Sequence, residues 1–175
     1  MASIRILKKN VEVEFKRGQG QAAIAEAAIM TRAKAMADLI NAKQWPDELA
    51  ASFKGLKKIV FFNGKVKVGR FMVERPGIDV KKAVFFWEIK EFAADDADGH
   101  ANTLFHDCWH VVQFKRAGKK FAKDVDEEVE REVDATNQQI KAARILGSSP
   151  GDIKHLEDFR DHPETIKARL LEGIS

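Results

Sequence analysis

The stretch FHDCWHVVQ, residues 105–113, places two of the chain's five histidines four residues apart in an otherwise apolar run. In a helix, His106 and His110 lie one turn apart on the same face, where their ring nitrogens can converge on one metal ion. Apolar residues cover most of the remaining circumference, so the sequence predicts an interior helix whose histidines face a cleft. The other interpretation is that both histidines are packing residues, hydrogen-bonded within the core.

A catalytic zinc ion needs a third protein ligand and leaves its fourth position for water. The acidic run DVDEEVEREVD follows the histidine helix and sets Glu130 and Asp134 four residues apart on one helical face. If the two helices are antiparallel, Glu130 reaches the ion and Asp134 orients a ligating imidazole through its second nitrogen. Glu127 is the substitute ligand if the register is one turn off. A solvated helix surface is the other explanation for so acidic a run.

These residues resemble a family of metallopeptidases. The pattern His106-Asp107-x-x-His110, followed after 20 residues by Glu130-x-x-x-Asp134, is similar to the glutamate zincins, which carry HExxH on one helix and ExxxD on the next. The resemblance covers about residues 80–146, and similar modules with HVVQ occur among bacterial effector and toxin-associated peptidases. It implies a zinc-dependent hydrolase of peptides or proteins, with zinc on His106, His110 and Glu130. It also implies that AVFFWEIKEF is an edge strand that binds substrate.

The chain departs from the zincin pattern at one position. Asp107 stands where the family has the glutamate that acts as general base, and it is shorter by one methylene. A base displaced by roughly 1.5 Å can lose about 10²-fold in rate. The alternative is therefore a catalytically degenerate zincin-fold protein that binds a partner or serves as an effector.

A third interpretation starts from the adjacent pair His106-Asp107. It resembles the helix of phospholipases A2, which implies that His106 activates water and Asp107 binds calcium, with Asp134 on the partner helix. Of the glycine-rich calcium loop in those lipases, only Asp98-Gly99 stands nearby.

Other polar residues near the motif have structural interpretations. Asp98 and His100 are expected to cap the histidine helix, with Asn102 or Thr103 as its N-cap; the alternative is that Asp98 and His100 contribute to the site from a loop. Cys108 is expected to be a small core residue. The two remaining histidines are expected at surface or capping positions: His155 and His162.

The elements around the motif predict a single α+β domain over residues 1–175. Helices are expected at 21–44, 46–53, 101–117 and 123–146, and Asn63-Gly64 predicts a β-hairpin. The segments are an amino-terminal strand and long helix (1–55), an antiparallel β-meander (56–93), a zincin-like metal-site helix pair (100–146) and carboxy-terminal helices (147–175).

Composition limits the partners. Thirty Lys and Arg against 27 Asp and Glu give a net charge of +3, and the two signs are interspersed, so nucleic-acid binding is not expected. No apolar run approaches the roughly 20 residues that cross a bilayer, and the amino terminus lacks the apolar block of a signal peptide. The expected location is cytoplasmic, a prediction that is compatible with export by a signal-less secretion system. The single cysteine gives no disulfide framework.

Overall fold

The fold is known from a computed structural model, which describes residues 2–68 and 71–172. These residues form strands and helices in the order β1 (Ala2–Ile6), β2 (Lys9–Arg17), α1 (Glu26–Asn41), α2 (Asp47–Gly55), β3 (Lys58–Asn63), β4 (Val66–Val68), β5 (Phe71–Val73), β6 (Gly77–Asp79), β7 (Val84–Glu88), α3 (Ile89–Ala94), α4 (Ala97–Arg116), α5 (Val125–Leu146), α6 (Pro150–Asp161) and α7 (Pro163–Leu171). The class is α+β, as the sequence predicts.

The central sheet has five strands in the order β1-β2-β3-β7-β6. The outer pairs β1-β2 and β6-β7 are antiparallel, whereas β3 pairs in parallel with both β2 and β7. The apolar run of β3, Ile59–Phe62, is buried at every position. A strand that is covered on both faces needs such a continuous run, which is typical of parallel pairing.

The predicted antiparallel meander is wrong. The turn at Asn63-Gly64 leads from β3 into β4, and β4 pairs with β5 in a separate two-stranded sheet. The chain then returns through β6 to β7, which is an interior strand, so the edge beyond it belongs to β6 and not to AVFFWEIKEF. Residues 69–70 of the predicted second strand, and residues 1 and 173–175 of the predicted domain, lie outside the described residues.

The helices occur where the sequence predicts them, with different ends. The amino-terminal helix begins at Glu26 and not at 21, while α2 follows Pro46 as expected. Helix α4 begins at Ala97, because the Asp96 side chain accepts a hydrogen bond from the Gly99 amide and caps it. The predicted N-caps Asn102 and Thr103 therefore lie inside α4.

Helix α4 is the centre of the packing. It contacts α1 and α2 on one side and α5 on another. Phe105, Cys108 and Trp109 are fully buried in the largest core cluster, which confirms that these residues are core. The face of α4 that carries His106 and His110 lies towards α5. Among the described residues, the helices are all too short or too polar to span a membrane.

Candidate metal centre

Helices α4 and α5 run antiparallel past each other. Residues early in α4 contact residues late in α5, and the reverse holds at the other end. Gln139 Nε2 donates to the Asn102 carbonyl at 3.5 Å, and Gln113 Nε2 donates to the Arg131 carbonyl at 2.8 Å. Ala135 and Ala142 are fully buried on α5. Small residues on the packing face let the two backbones approach, so polar side chains that flank them can meet across the interface.

Three of these side chains converge on one point. His106 Nε2 and His110 Nε2 are 3.3 Å apart. Glu132 Oε2 lies 3.3 Å from His106 Nε2, and Glu132 Oε1 lies 3.3 Å from His110 Nε2. The three side chains are only 16–19% exposed. Their ligand atoms all lie within 4.8 Å of one another, so this buried group could hold a metal ion.

Two glutamines fix the orientation of the imidazoles. Gln113 Nε2 donates to Asp134 Oδ2 and to the Arg131 carbonyl, both at 2.8 Å, so its Oε1 is left to accept from His110 Nδ1 at 2.8 Å. Gln139 Nε2 faces the Asn102 carbonyl, and its Oε1 accepts from His106 Nδ1 at 3.0 Å. With a proton on each Nδ1, both histidines present the Nε2 lone pair to the cluster.

The cluster therefore contains four acceptor atoms with no proton of their own. Two lone pairs and a carboxylate at 3.3 Å repel one another unless a cation lies among them. A proton is one such cation: burial opposes charge on His106, but the hydrogen bond that His106 donates to Glu132 and the charges of Asp107 and Glu132 outweigh it, and the pKa of His106 is raised. Burial likewise opposes charge on Glu132, but its bond to His106 and both imidazoles hold its pKa below the usual value. A divalent metal ion satisfies all four acceptors at once.

The predicted third ligand is not in this group. Glu130 is exposed, and Glu127 is bonded to Arg131 at 2.8 Å and to the Lys123 amide at 3.0 Å. Two residues along a helix turn a side chain by about 200°, so Glu130 lies almost opposite the face that carries Glu132. Neither Glu132 nor Gln139 is predicted from the sequence. They are seven residues apart on α5, as are the fully buried Ala135 and Ala142, and this seven-residue spacing of small residues is the sequence signal for the packed face of the helix.

Contrary to the prediction, Asp134 does not bond directly to a ligating imidazole but reaches His110 through Gln113. Its Oδ2 accepts from Trp109 Nε1 at 2.7 Å and from Gln113 at 2.8 Å, and Gln113 in turn holds His110. Burial opposes its charge, yet the bonds from Trp109 and Gln113 hold the pKa of Asp134 below its usual range. Because it bonds to these residues and not to His106, this geometry gives no support to a phospholipase-like pairing.

Asp107 lies beside the cluster. It is half-buried and lines a cavity of about 260 Å³ together with His106, Gln139 and His155. Within the described residues its carboxylate has no hydrogen-bond partner. Burial raises the pKa of Asp107, against the pull of the two imidazoles. A free carboxylate at a cavity wall can accept a proton from a molecule in that cavity.

The other histidines do not belong to the centre. His100 is a core residue and not a cap: its Nε2 lies 2.6 Å from the Phe92 carbonyl and its ring stacks on Phe92 at 4.0 Å. Burial holds its pKa below the usual value. His155 is exposed, and His162 precedes α7 at the surface, 2.9 Å from Glu164, so both surface predictions are confirmed.

The chain matches no protein-family model, no curated protein and no solved structure. What defines it is the combination of a mixed five-stranded sheet with a buried His-His-Glu group between two antiparallel helices.

Proposed function

We propose that the protein is a zinc-dependent hydrolase of peptide or protein substrates, with its metal ion held by His106, His110 and Glu132. The observation that carries this proposal is the convergence of two Nε2 atoms and one carboxylate at 3.3 Å, while both Nδ1 atoms are bonded to glutamine oxygens. Packing alone gives no reason to place four acceptors so close together.

The donor set fits zinc. Imidazole nitrogen and carboxylate oxygen are ordinary zinc ligands, and three protein ligands with one open position are typical of catalytic rather than structural sites. Each imidazole is oriented through its other nitrogen, here by Gln113 and Gln139. When bound, zinc polarises a carbonyl oxygen and lowers the pKa of a water molecule to about 7.

Asp107 supplies the base in this proposal. Its carboxylate is free, lies at the cavity wall beside His106 and has a raised pKa, three properties that suit a group that takes a proton from water and returns it to a leaving amine. His106 and His110 bind and orient, and Glu132 balances the charge of the ion. The cavity of about 260 Å³ gives a substrate carbonyl access to this side of the cluster.

A second candidate is a binding or effector protein that keeps the metal for stability. Two observations favour it: the three ligands are more than four-fifths buried, and the free carboxylate is Asp107, shorter than glutamate by one methylene. Replacing Asp107 with glutamate separates the two candidates, since only an active site gains rate from a longer base.

The metal content decides the first step. Protein purified without chelator is analysed by elemental mass spectrometry, alongside the His110→Ala variant. About one zinc ion per wild-type chain, lost in the variant, supports the proposal and calls for a peptide-library cleavage screen. Wild type without metal after zinc is added back overturns it, and the cluster is then a protonated packing group.

A further inference from the structure

A second cavity, of about 310 Å³, opens where α4 and α6 begin. Four carboxylates line it, Asp95, Asp96, Asp98 and Asp152, and its lining includes neither lysine nor arginine. Positive and negative residues are interspersed over the sequence as a whole. A cavity wall with four acids and neither lysine nor arginine therefore differs from the rest of the chain. Arg32 does approach, but it donates to the Asp95 backbone carbonyl at 3.2 Å.

Local hydrogen bonds occupy one oxygen of each carboxylate. Asp96 Oδ1 accepts from the Gly99 amide at 3.0 Å, and Asp98 Oδ2 accepts from Ser148 Oγ at 2.6 Å. Asp95 and Asp152 are likewise bonded through one oxygen, to the Asp96 amide and to Ser149. The bond from Ser148 lowers the pKa of Asp98, but burial and the charge of Asp96 outweigh it, and the pKa is raised. The charges of both Asp96 and Asp152 act on Asp98 in this direction, so these carboxylates lie close to one another.

Asn102 provides an independent sign of a ligand. It lines this cavity and is only 8% exposed, yet its Oδ1 is buried without a hydrogen-bond partner. Among the described residues its Nδ2 has no partner either. Buried amides are almost always hydrogen-bonded, and the oxygen and nitrogen of an asparagine exchange places by a half-turn of the side chain. The Asn102 side-chain amide therefore has no partner within the described protein, although it lies in the wall that carries the four acids.

The spacing of these oxygens selects the kind of cation. Over the described residues, the His-His-Glu cluster is the one group of three or more His, Cys, Asp or Glu residues whose ligand atoms all lie within 4.8 Å of one another, so the four aspartates do not form a cage for a bare metal ion. A guanidinium or ammonium group carries several N–H donors and reaches acceptors that are further apart. The chemistry of the wall fits an organic cation.

The acidic cavity adjoins the candidate metal centre. Four residues line both this cavity and the one beside Asp107: Thr103, Gln139, His155 and Leu156. Gln139 also joins the Asn102 carbonyl to His106. At about 1.5 Å per helical residue, Asn102 and Asp98 lie about 6 and 12 Å along α4 from His106, which an extended peptide covers in about two to four residues.

We propose that this acidic cavity is a substrate subsite, in which Asp98, Asp152 and Asn102 bind an arginine or lysine side chain two to four residues from the bond that is cleaved. The inference rests on the proposed hydrolase function, because it names the substrate class of that same site. Binding of the cationic side chain is nevertheless measurable without hydrolysis, so each proposal can fail alone.

The test uses two fluorescein-labelled peptides, Ala-Ala-Arg-Ala-Ala and the same peptide with glutamine in place of arginine. Fluorescence anisotropy measures their binding to the full-length wild type, to wild type with chelator and to His110→Ala, so that no peptide is consumed. The acidic subsite is altered in Asp98→Asn/Asp152→Asn, which keeps side-chain shape and one oxygen on each residue to accept from Ser148 and Ser149. Asp158→Asn, six residues further along α6 and outside the cavity, is the matched control.

The arginine peptide is expected to bind at least tenfold more tightly than the glutamine peptide, with or without metal. The double variant should weaken arginine-peptide binding about tenfold, a loss that shrinks at high salt, while Asp158→Asn leaves it unchanged. Equal binding of the two peptides, an unaffected double variant, or no binding at about millimolar peptide overturns the subsite.

The outcomes for the two proposals are separable. A wild type that holds no zinc but shows the arginine preference keeps the subsite and overturns the hydrolase. Zinc-dependent cleavage at the same rate for peptides with and without arginine keeps the hydrolase and overturns the subsite. Backbone amide shifts of Gly99 and Ser148 on peptide addition locate the binding and remain readable if the double variant fails to fold.

Discussion

Exchange of two nearby glutamates on α5 tests the metal centre most directly. Glu132 faces both imidazoles at 3.3 Å, whereas Glu130 is exposed two residues earlier. Glu132→Gln removes one of three ligands and the negative charge that balances the ion. Glu130→Gln removes the same charge from the same helix without touching the cluster. Only the first is expected to release zinc.

The size of the effect follows from the number of ligands. Zinc sites with four ligands bind with about 10–16 kcal/mol, or about 3 kcal/mol per ligand, so loss of Glu132 should weaken binding about a hundredfold. At free zinc a hundred times the wild-type Kd, the wild type gains about 2.7 kcal/mol of stability and Glu132→Gln about 0.4. For a chain of 175 residues, that difference corresponds to about 5–9 °C in Tm.

Thermal unfolding with and without zinc measures this difference, and elemental mass spectrometry gives the stoichiometry. The wild type and Glu130→Gln should show the same zinc-dependent rise in Tm. Glu132→Gln should lose most of this rise. If Glu130→Gln loses zinc while Glu132→Gln keeps it, the register of α5 against α4 is wrong. If all three proteins respond alike, zinc binds elsewhere and the cluster has no part in it.

The remaining predictions concern the base, an orienting glutamine and the core histidine. Asp107→Asn should keep zinc and lower peptide hydrolysis about 10²–10⁴-fold, whereas Asp107→Glu should raise it; a glutamate that changes nothing in a cleavage assay favours the binding scaffold. Gln139→Leu should weaken zinc binding about 10–100-fold by competition with a chelator dye, and Asn137→Leu, as the control on the same helix, should not. His100, whose folded pKa is lowered, binds its proton more readily in the unfolded chain, so stability is complete above about pH 6.5 and falls as the pH drops below that value. His100→Phe should cost about 1 kcal/mol in urea unfolding at pH 8, because the Phe92 carbonyl loses its partner, and should flatten the fall between pH 7 and 5.5; an unchanged slope would show that other groups cause it.

Patterns local to one helix could be predicted from the sequence. The four-residue spacing of His106 and His110 and the apolar sides around them place both rings on one face, and the structure confirms an interior helix. Helix α6 is marked in the same way, by Ser149 and Pro150 at its start.

Features that depend on how two elements meet could not be predicted. Choosing between Glu130 and Glu132 needs the rotation of α5, and the acidic run offers a carboxylate at almost every rotation. The sheet is a similar case. Asn63-Gly64 is a strong local hairpin signal, yet β3 pairs with β2 and β7, because its fully buried apolar run is worth more as an interior strand.

The polarity of the interface between α4 and α5 is the strongest argument that this helix pair serves a function. Two histidines, a glutamate and two glutamines occupy a surface that apolar side chains would fill at lower cost, since each polar group must be desolvated and then bonded again. Gln139 and Gln113 accept hydrogen bonds from the two Nδ1 atoms and so replace their lost hydration. Within the described chain, no donor is bonded to both Nε2 atoms and the Glu132 carboxylate together. A shared proton joins only one pair of these atoms at a time, such as His106 Nε2 and Glu132 Oε2. A metal ion would bond to all of them at once.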